Sequence, residues 1–227
     1  MRKLFYSTAL FLIFILCGTS FALTQNEKKR MSSFISTFTE AGLFNFDVDD
    51  RKADEFGEDF GEHEEPKIHL GNPANFPELI RFGIVHNLIN NRKFIKQCRD
   101  PECESGALTL DKKIVFETVK KYFDIDISRK DFSNIVEENP SVVFSFDGKL
   151  FHFDEDSFSE PGNDTVFFAD VQGVTKEGRY LSFAGDIYDS KHTQTRPGMF
   201  AATVKPVNDS WVIISLTTDW VTNAGRD

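Results

Sequence analysis

Two cysteines, a histidine–asparagine pair and one alternating run hold most of the side chains in this chain that could do chemistry. The cysteines stand in "CRDPEC", residues 98–103. C-x4-C is not the C-x-x-C redox spacing. A zinc site needs about four ligands, and neither a second Cys pair nor a histidine close in sequence supplies them. A catalytic thiol needs a histidine brought up in space, which sequence does not place. The expectation is a local Cys98–Cys103 disulfide with Pro101 favouring the turn, and free or redox-active thiols are the alternative. A loop this small gains little chain-entropy stabilisation, so its expected job is to fix the exit from a helix.

The alternating run is "RYLSFAGDIYD". Period two puts Leu181, Phe183 and Ile187 on one face and Tyr180, Ser182, Asp186 and Tyr188 on the other. A concave second face would present a carboxylate between phenols. His86 and Asn90 are one helical turn apart and could face the same space. A histidine, an aspartate and tyrosines form a reasonable acid–base set. The plainer expectation is a solvated sheet face and a helix-packing histidine. His86, Asn90, Tyr180, Asp186 and Tyr188 are therefore pocket candidates, and no residue is assigned a catalytic role.

Motifs for common chemistry are missing. The chain has no GxSxG, Walker A or GxGxxG. "HEEPK" at His63 departs from HExxH because Lys67 stands where the second histidine belongs. "DVDDRK" starts like a calcium loop, but Arg51 and Lys52 occupy positions that need a ligand and a turn glycine. No metal and no cofactor are expected. The stretch "DSKHTQTRPG" carries Lys191, His192 and Arg196 in an otherwise acidic chain and suits a contact role.

The chain opens with Arg2 and Lys3, an apolar run from Leu4 to Leu16, and Ser20-Phe21-Ala22. This is the pattern of a leader cleaved after Ala22. Cys17 offers a lipidation site, although Leu16 before it is larger than such a site takes. Export to the periplasm or the outside follows, with no membrane span in the mature chain. Losing Arg2 and Lys3 moves the formal charge from −10 to −12, which disfavours nucleic acid as a partner. An unknown small molecule or protein remains as the partner, and the oligomeric state is open.

Residues 1–22 are thus read as a leader, 23–44 as an N-terminal helix, 45–70 as an acidic flexible loop, and 71–222 as a single α+β domain. The first helix has Thr24 and Glu27 at capping-box spacing and Met31, Phe34, Ile35, Phe38 and Ala41 on one face, with Gly42 as its stop. Ten acids between Asn45 and Glu65 face only Arg51 and Lys52 and follow no period. They suit a solvated loop that could also bind a partner. A second helix is expected from Asn75 to the cysteines. A third is expected from a Thr109 cap, followed by a short one near residues 129–140. From Ser141 the period changes to two. "VVFSFDGKLFHF" reads as a hairpin with a type I′ turn at Asp147-Gly148, and two further strand pairs follow.

Helices followed by strands with short connections give an α+β domain, N-terminal helices packed on a curved antiparallel meander. The order "RFGIVHNLINN", "VFETVKKYFDI", then hairpins ending in "WVIISLTTDW" resembles secreted NTF2-like or cystatin-like domains over roughly residues 75–220. That resemblance implies a bent sheet wrapped on a helix, and often a conical pocket. Such folds serve enzymes and binding proteins alike. The expected function is non-catalytic ligand or protein binding. The rivals are a pocket enzyme using His86 and Asp186, and an inhibitor or assembly partner that binds through the acidic loop.

Overall fold

The structure is a computed structural model that describes residues 23–48, 67–99, 101, 103, 107–129, 132, 143–158 and 165–221. The segment expected to be a leader, most of the acidic segment, and the short helix expected near residues 129–140, apart from residues 129 and 132, lie outside the described residues.

Helix α1, Gln25–Glu40, begins where its sequence signals say. Thr24 accepts from the Glu27 N–H, and the Glu27 carboxylate accepts from the Thr24 N–H. It stops by a Schellman motif. Gly42 at φ 70° donates to Thr39 O, and Leu43 donates to Phe38 O. The apolar side of the helix enters the core. Phe38 meets Phe34, Phe46, Phe82, Tyr122 and Phe123, with ring centroids 5.3–5.9 Å away.

The polar flank of α1 has a second task. Ser32 and Ser36 accept from the backbone N–H groups of Val171 and Ala169, and Thr39 donates to Phe167 O. Those three residues lie on β7 (Phe167–Glu177), an outer strand of its sheet. Four helical residues advance about 6.0 Å, and two strand residues about 6.6 Å. Ser32 and Ser36 therefore match alternate amides of the strand. The helix satisfies an edge that would otherwise be free to pair with another chain.

Helix α2, Phe76–Asn90, is buried on nearly every side. It is shorter than expected. After Asn90 come a 3-10 turn, Arg92–Phe94, and strand β3, Lys96–Gln97. Asn75 makes no capping bond from its side chain; Asn72 caps the preceding 3-10 turn instead. Helix α3 is Lys112–Phe123, capped by Asp111 rather than Thr109. Thr109 sits within strand β4, Leu108–Asp111. Pairing with β3 and β6 holds the residues ahead of Asp111 extended, and the aspartate accepts from the Lys113 N–H to start the helix. Gly83 lets α2 approach α3 closely, since a Cβ there would lie 2.8 Å from Val115 Cγ1.

The fold is α+β, with the strands in two sheets. The six-stranded sheet has the order β2-β1-β10-β9-β8-β7. Here β1 is Phe46–Asp47, β2 is Ile68–His69, β8 is Tyr180–Asp189, β9 is Gly198–Val207 and β10 is Ser210–Trp220. Strands β7 to β10 pair consecutively and antiparallel, whereas β1 and β2 are parallel. Both short strands fall inside the span expected to be loop, so the acidic segment starts and ends on the edge of the sheet. The second sheet has the order β3-β4-β6-β5, with β5 Phe144–Phe146 and β6 Leu150–Phe153. The Asp147-Gly148 hairpin therefore belongs to a separate sheet built on the chain between α2 and α3. Its turn also differs from expectation. Gly148 has φ 91°, but Lys149 is not among the positive-φ residues, a type II′ pattern centred on Gly148-Lys149.

The inner face of the large sheet carries Ala169, Val171, Val174, Phe183, Ile187, Phe200, Ala202, Val204, Ile213 and Leu216, all buried. Trp211 joins this face by contacts with Phe34 and Phe183, and Trp220 packs on Phe44 and Phe167. The helices lie on this side.

Candidate functional site

The helix side takes His86 and Asn90. His86 is 6% exposed, stacked on Phe82 at 5.9 Å and edge-on to Tyr122 at 4.9 Å. Asn90 Nδ2 donates to His86 Nδ1 at 3.3 Å, which requires that nitrogen to be unprotonated. Burial pushes the His86 pKa down to about 4, helped by the positive charge of Lys121. The ring is a neutral packing group between α2 and α3.

Asp186 and Tyr188 project the other way. Their neighbours Gly185 and Ile187 are buried on the helix side, so alternation puts Tyr180, Ser182, Asp186 and Tyr188 on the outer face. The acid–base set therefore divides. His86 and Asn90 stand on one side of the sheet, and Asp186 with the tyrosines on the other.

That outer face has an organisation of its own. Phe168 stacks on Tyr188, centroids 5.5 Å apart, and the Arg196 guanidinium lies 5.3 Å above the Tyr188 ring. Arg196 Nε is 4.0 Å from Asp186 Oδ2 and holds its position by donating to Thr193 O and Thr195 O. At the opposite end of β8, Arg179 lies 5.0 Å over Tyr180. Between the two ends runs a band of hydroxyls, with Ser182 paired to Thr175 and Thr203, and Thr203 to Ser215. Thr175 Oγ1 in this band is buried and makes no hydrogen bond among the described residues. His192 and Asp189 pair at 3.1 Å in the neighbouring connection, lowering the Asp189 pKa chiefly through that hydrogen bond.

A second cluster is built around "CRDPEC". Cys98 and Cys103 form a disulfide. It leaves a strand rather than a helix, since Cys98 follows β3 and donates its N–H to Ala107 O. Register places Lys96 opposite Thr109, and Thr109 opposite His152. Cys98 is two residues beyond Lys96 and shares its side, so the sulfurs meet the histidine. His152 Nδ1 lies 3.6 Å from Cys98 Sγ and 3.4 Å from Cys103 Sγ. Its Nε2 lies 2.9 Å from Asp147 Oδ2. The other oxygen of Asp147 accepts from the N–H groups of Lys149 and Leu150 at 2.7 and 2.6 Å. Partial burial raises the Asp147 pKa, but the Leu150 N–H, the His152 ring and the Lys149 N–H outweigh it and bring the value to about 2.

Sequence reasoning found the cysteines and the Asp147 turn, and missed that His152 joins them. The alternation in "KLFHF" does set His152 opposite Phe151 and Phe153. Nothing in that stretch tells which strand lies alongside.

No family model matches the chain, and no curated protein and no solved structure is significantly similar to it.

Proposed function

We propose that this chain is an exported, non-catalytic binding protein of the NTF2-like or cystatin-like kind, engaging a protein partner through the outer face of β7, β8 and β9. The observation that carries this reading is the sidedness of the large sheet. Helices fill the inner face. The outer face carries two tyrosines under guanidinium groups, with Phe168 alongside. The described helices touch it only at its margins, where Lys28 of α1 meets Asp170 at 3.4 Å and Gln172 at 3.1 Å, and where Asp124 after α3 meets Lys205 at 3.7 Å.

Residue types support a protein partner over a small molecule. Tyrosine and arginine dominate the energetics of protein interfaces because each brings a large rigid surface with a polar end. Tyr180 and Tyr188 are eight strand residues apart, about 26 Å, the scale of a protein contact. The matching surface presents carboxylates to Arg179 and Arg196 and apolar groups to the rings. Export is supported by the leader pattern and by the disulfide, which persists in oxidising compartments. The half-buried hydroxyl residues Ser182, Thr203 and Ser215 of this band offer hydrogen bonds to the partner.

The test is purification of the chain from its own compartment beside a Tyr188→Ala/Arg196→Ala variant, both read by native and denaturing mass spectrometry. The reading expects a mature chain starting at Leu23, two hydrogens light, with a protein bound to the wild type and lost from the variant. Equal recovery on both chains refutes the outer face as the site. A small-molecule adduct in place of a protein refutes the partner class. An unprocessed chain refutes export by cleavage.

A further inference from the structure

The disulfide cluster carries an inference independent of the outer face. We propose that Cys98, Cys103 and His152 form a redox-gated site for a thiophilic divalent cation, of which zinc is the ordinary example, with Asp147 orienting the histidine. The three side chains offer ligand atoms within 4.8 Å of one another. A tetrahedral zinc with bonds of about 2.3 Å to sulfur and about 2.05 Å to nitrogen sets S···N edges near 3.6 Å. The observed Sγ···Nδ1 separations are 3.6 and 3.4 Å. Two of the three edges of the ligand triangle thus already stand at the length a metal requires. The third is the S–S pair, which is covalently bonded here and must part to about 3.8 Å.

The tautomer also fits. A histidine that ligates through Nδ1 carries its proton on Nε2 and donates it outward, usually to a carboxylate. His152 Nε2 faces Asp147 Oδ2 at 2.9 Å, and Asp147 is fixed from behind by two backbone N–H groups. Three protein ligands leave a fourth position for water or an incoming ligand.

Oxidation closes the site and reduction opens it. A dithiol reductant gives two electrons and two protons to the Cys98–Cys103 bond and becomes a disulfide itself. The bond breaks to two thiols. Each thiol then loses its proton to solvent as the cation takes up two thiolates and His152 Nδ1. Bound metal holds the sulfurs apart and so opposes reoxidation; the disulfide removes both thiolates and so excludes metal.

The experiment uses the full mature chain, reduced under argon with dithiothreitol and desalted, beside the oxidised chain. Cobalt(II) reports ligands by its spectrum, and zinc is counted by native mass spectrometry. The proposal expects one metal per reduced chain, thiolate-to-cobalt charge transfer with the strong visible bands of tetrahedral cobalt, and no uptake by the oxidised chain. Asp147→Asn keeps the oxygen that accepts from the backbone and removes the acceptor facing His152. It should weaken zinc binding by about 10–100-fold. His152→Gln should weaken it at least as much, with circular dichroism reporting that the fold persists. Zinc should slow alkylation of the reduced cysteines by iodoacetamide. Uptake by the oxidised chain equal to that by the reduced one overturns the proposal. So does a reduced chain that binds no better than Cys98→Ser/Cys103→Ser, or a His152→Gln chain that binds like the wild type.

Discussion

His86 gives a test of the buried helix layer that can be worked out from one residue. Its ring titrates at about 4 in the folded chain, against about 6.5 when unfolded. Between those values the unfolded chain binds the extra proton and the folded chain does not. Acidification therefore pulls the equilibrium toward unfolding, and stability falls as pH drops below about 6.5, with the loss complete near pH 4. The full difference of about 2.5 units is worth about 3.4 kcal/mol. Over the accessible range, from about pH 7.5 to about pH 5, the linkage integral gives a loss of about 2 kcal/mol. Screening by solvent takes little from this, because the side chain is 6% exposed and packed between Phe82 and Tyr122. His86→Phe keeps a ring in that slot and removes the proton site. Asn90 keeps a bond to the His86 backbone oxygen at 3.3 Å. Glu40, whose pKa burial raises, works in the opposite direction on acidification, but it is common to both chains and cancels in the comparison. Urea denaturation of wild type and variant at the two pH values measures the difference. The account expects the wild type to lose about 2 kcal/mol more than His86→Phe. Parallel pH dependences would show that His86 accepts its proton in the folded state and that the ring is not buried as described.

Four further substitutions test how the layers are joined. Ser36→Ala orphans the Ala169 N–H at a buried position and should cost about 1–3 kcal/mol despite the better helix propensity of alanine, with faster hydrogen exchange at Ala169. Phe38→Ala empties the place where three helices and β1 meet and should cost about 3–5 kcal/mol in the same denaturation assay. At Gly185 a Cβ would collide with the Asp170 carbonyl and come within 2.9 Å of Val171 Cα, whereas at Gly173 it meets nothing within 4 Å. Gly185→Ala should lower the melting temperature sharply and Gly173→Ala hardly at all; similar melts would contradict the β7–β8 register.

Local signals served well where one interaction decides the outcome. Thr24 with Glu27, Gly42 after an apolar face, and the two-residue period after residue 141 each act within a few positions, and the chain follows them. Errors arose where pairing with a distant strand overrode a local signal. The expected cap at Thr109 fails because pairing with β6 and β3 draws Thr109 into strand, and Asp111 caps the helix instead. Residues 91–97 looked like more helix because Phe94 and Ile95 continue an apolar pattern, yet a place beside β4 draws Lys96 and Gln97 into a ladder. The split into two sheets was not legible, because it depends on which strand meets which across some forty residues. The same gap hid His152 from the cysteines. His86 and Asp186 looked like one site because periodicity gives a face within each element and says nothing about which faces turn toward each other.

The most direct measurement is oxidative footprinting of the chain alone and with its co-purified partner, read residue by residue by mass spectrometry. The account predicts that Phe168, Tyr180 and Tyr188 lose reactivity in the complex, while Phe94, exposed beyond the end of α2, keeps it. Protection confined to residues 45–65, with β7 and β8 labelled as in the free chain, would contradict it and assign binding to the acidic segment.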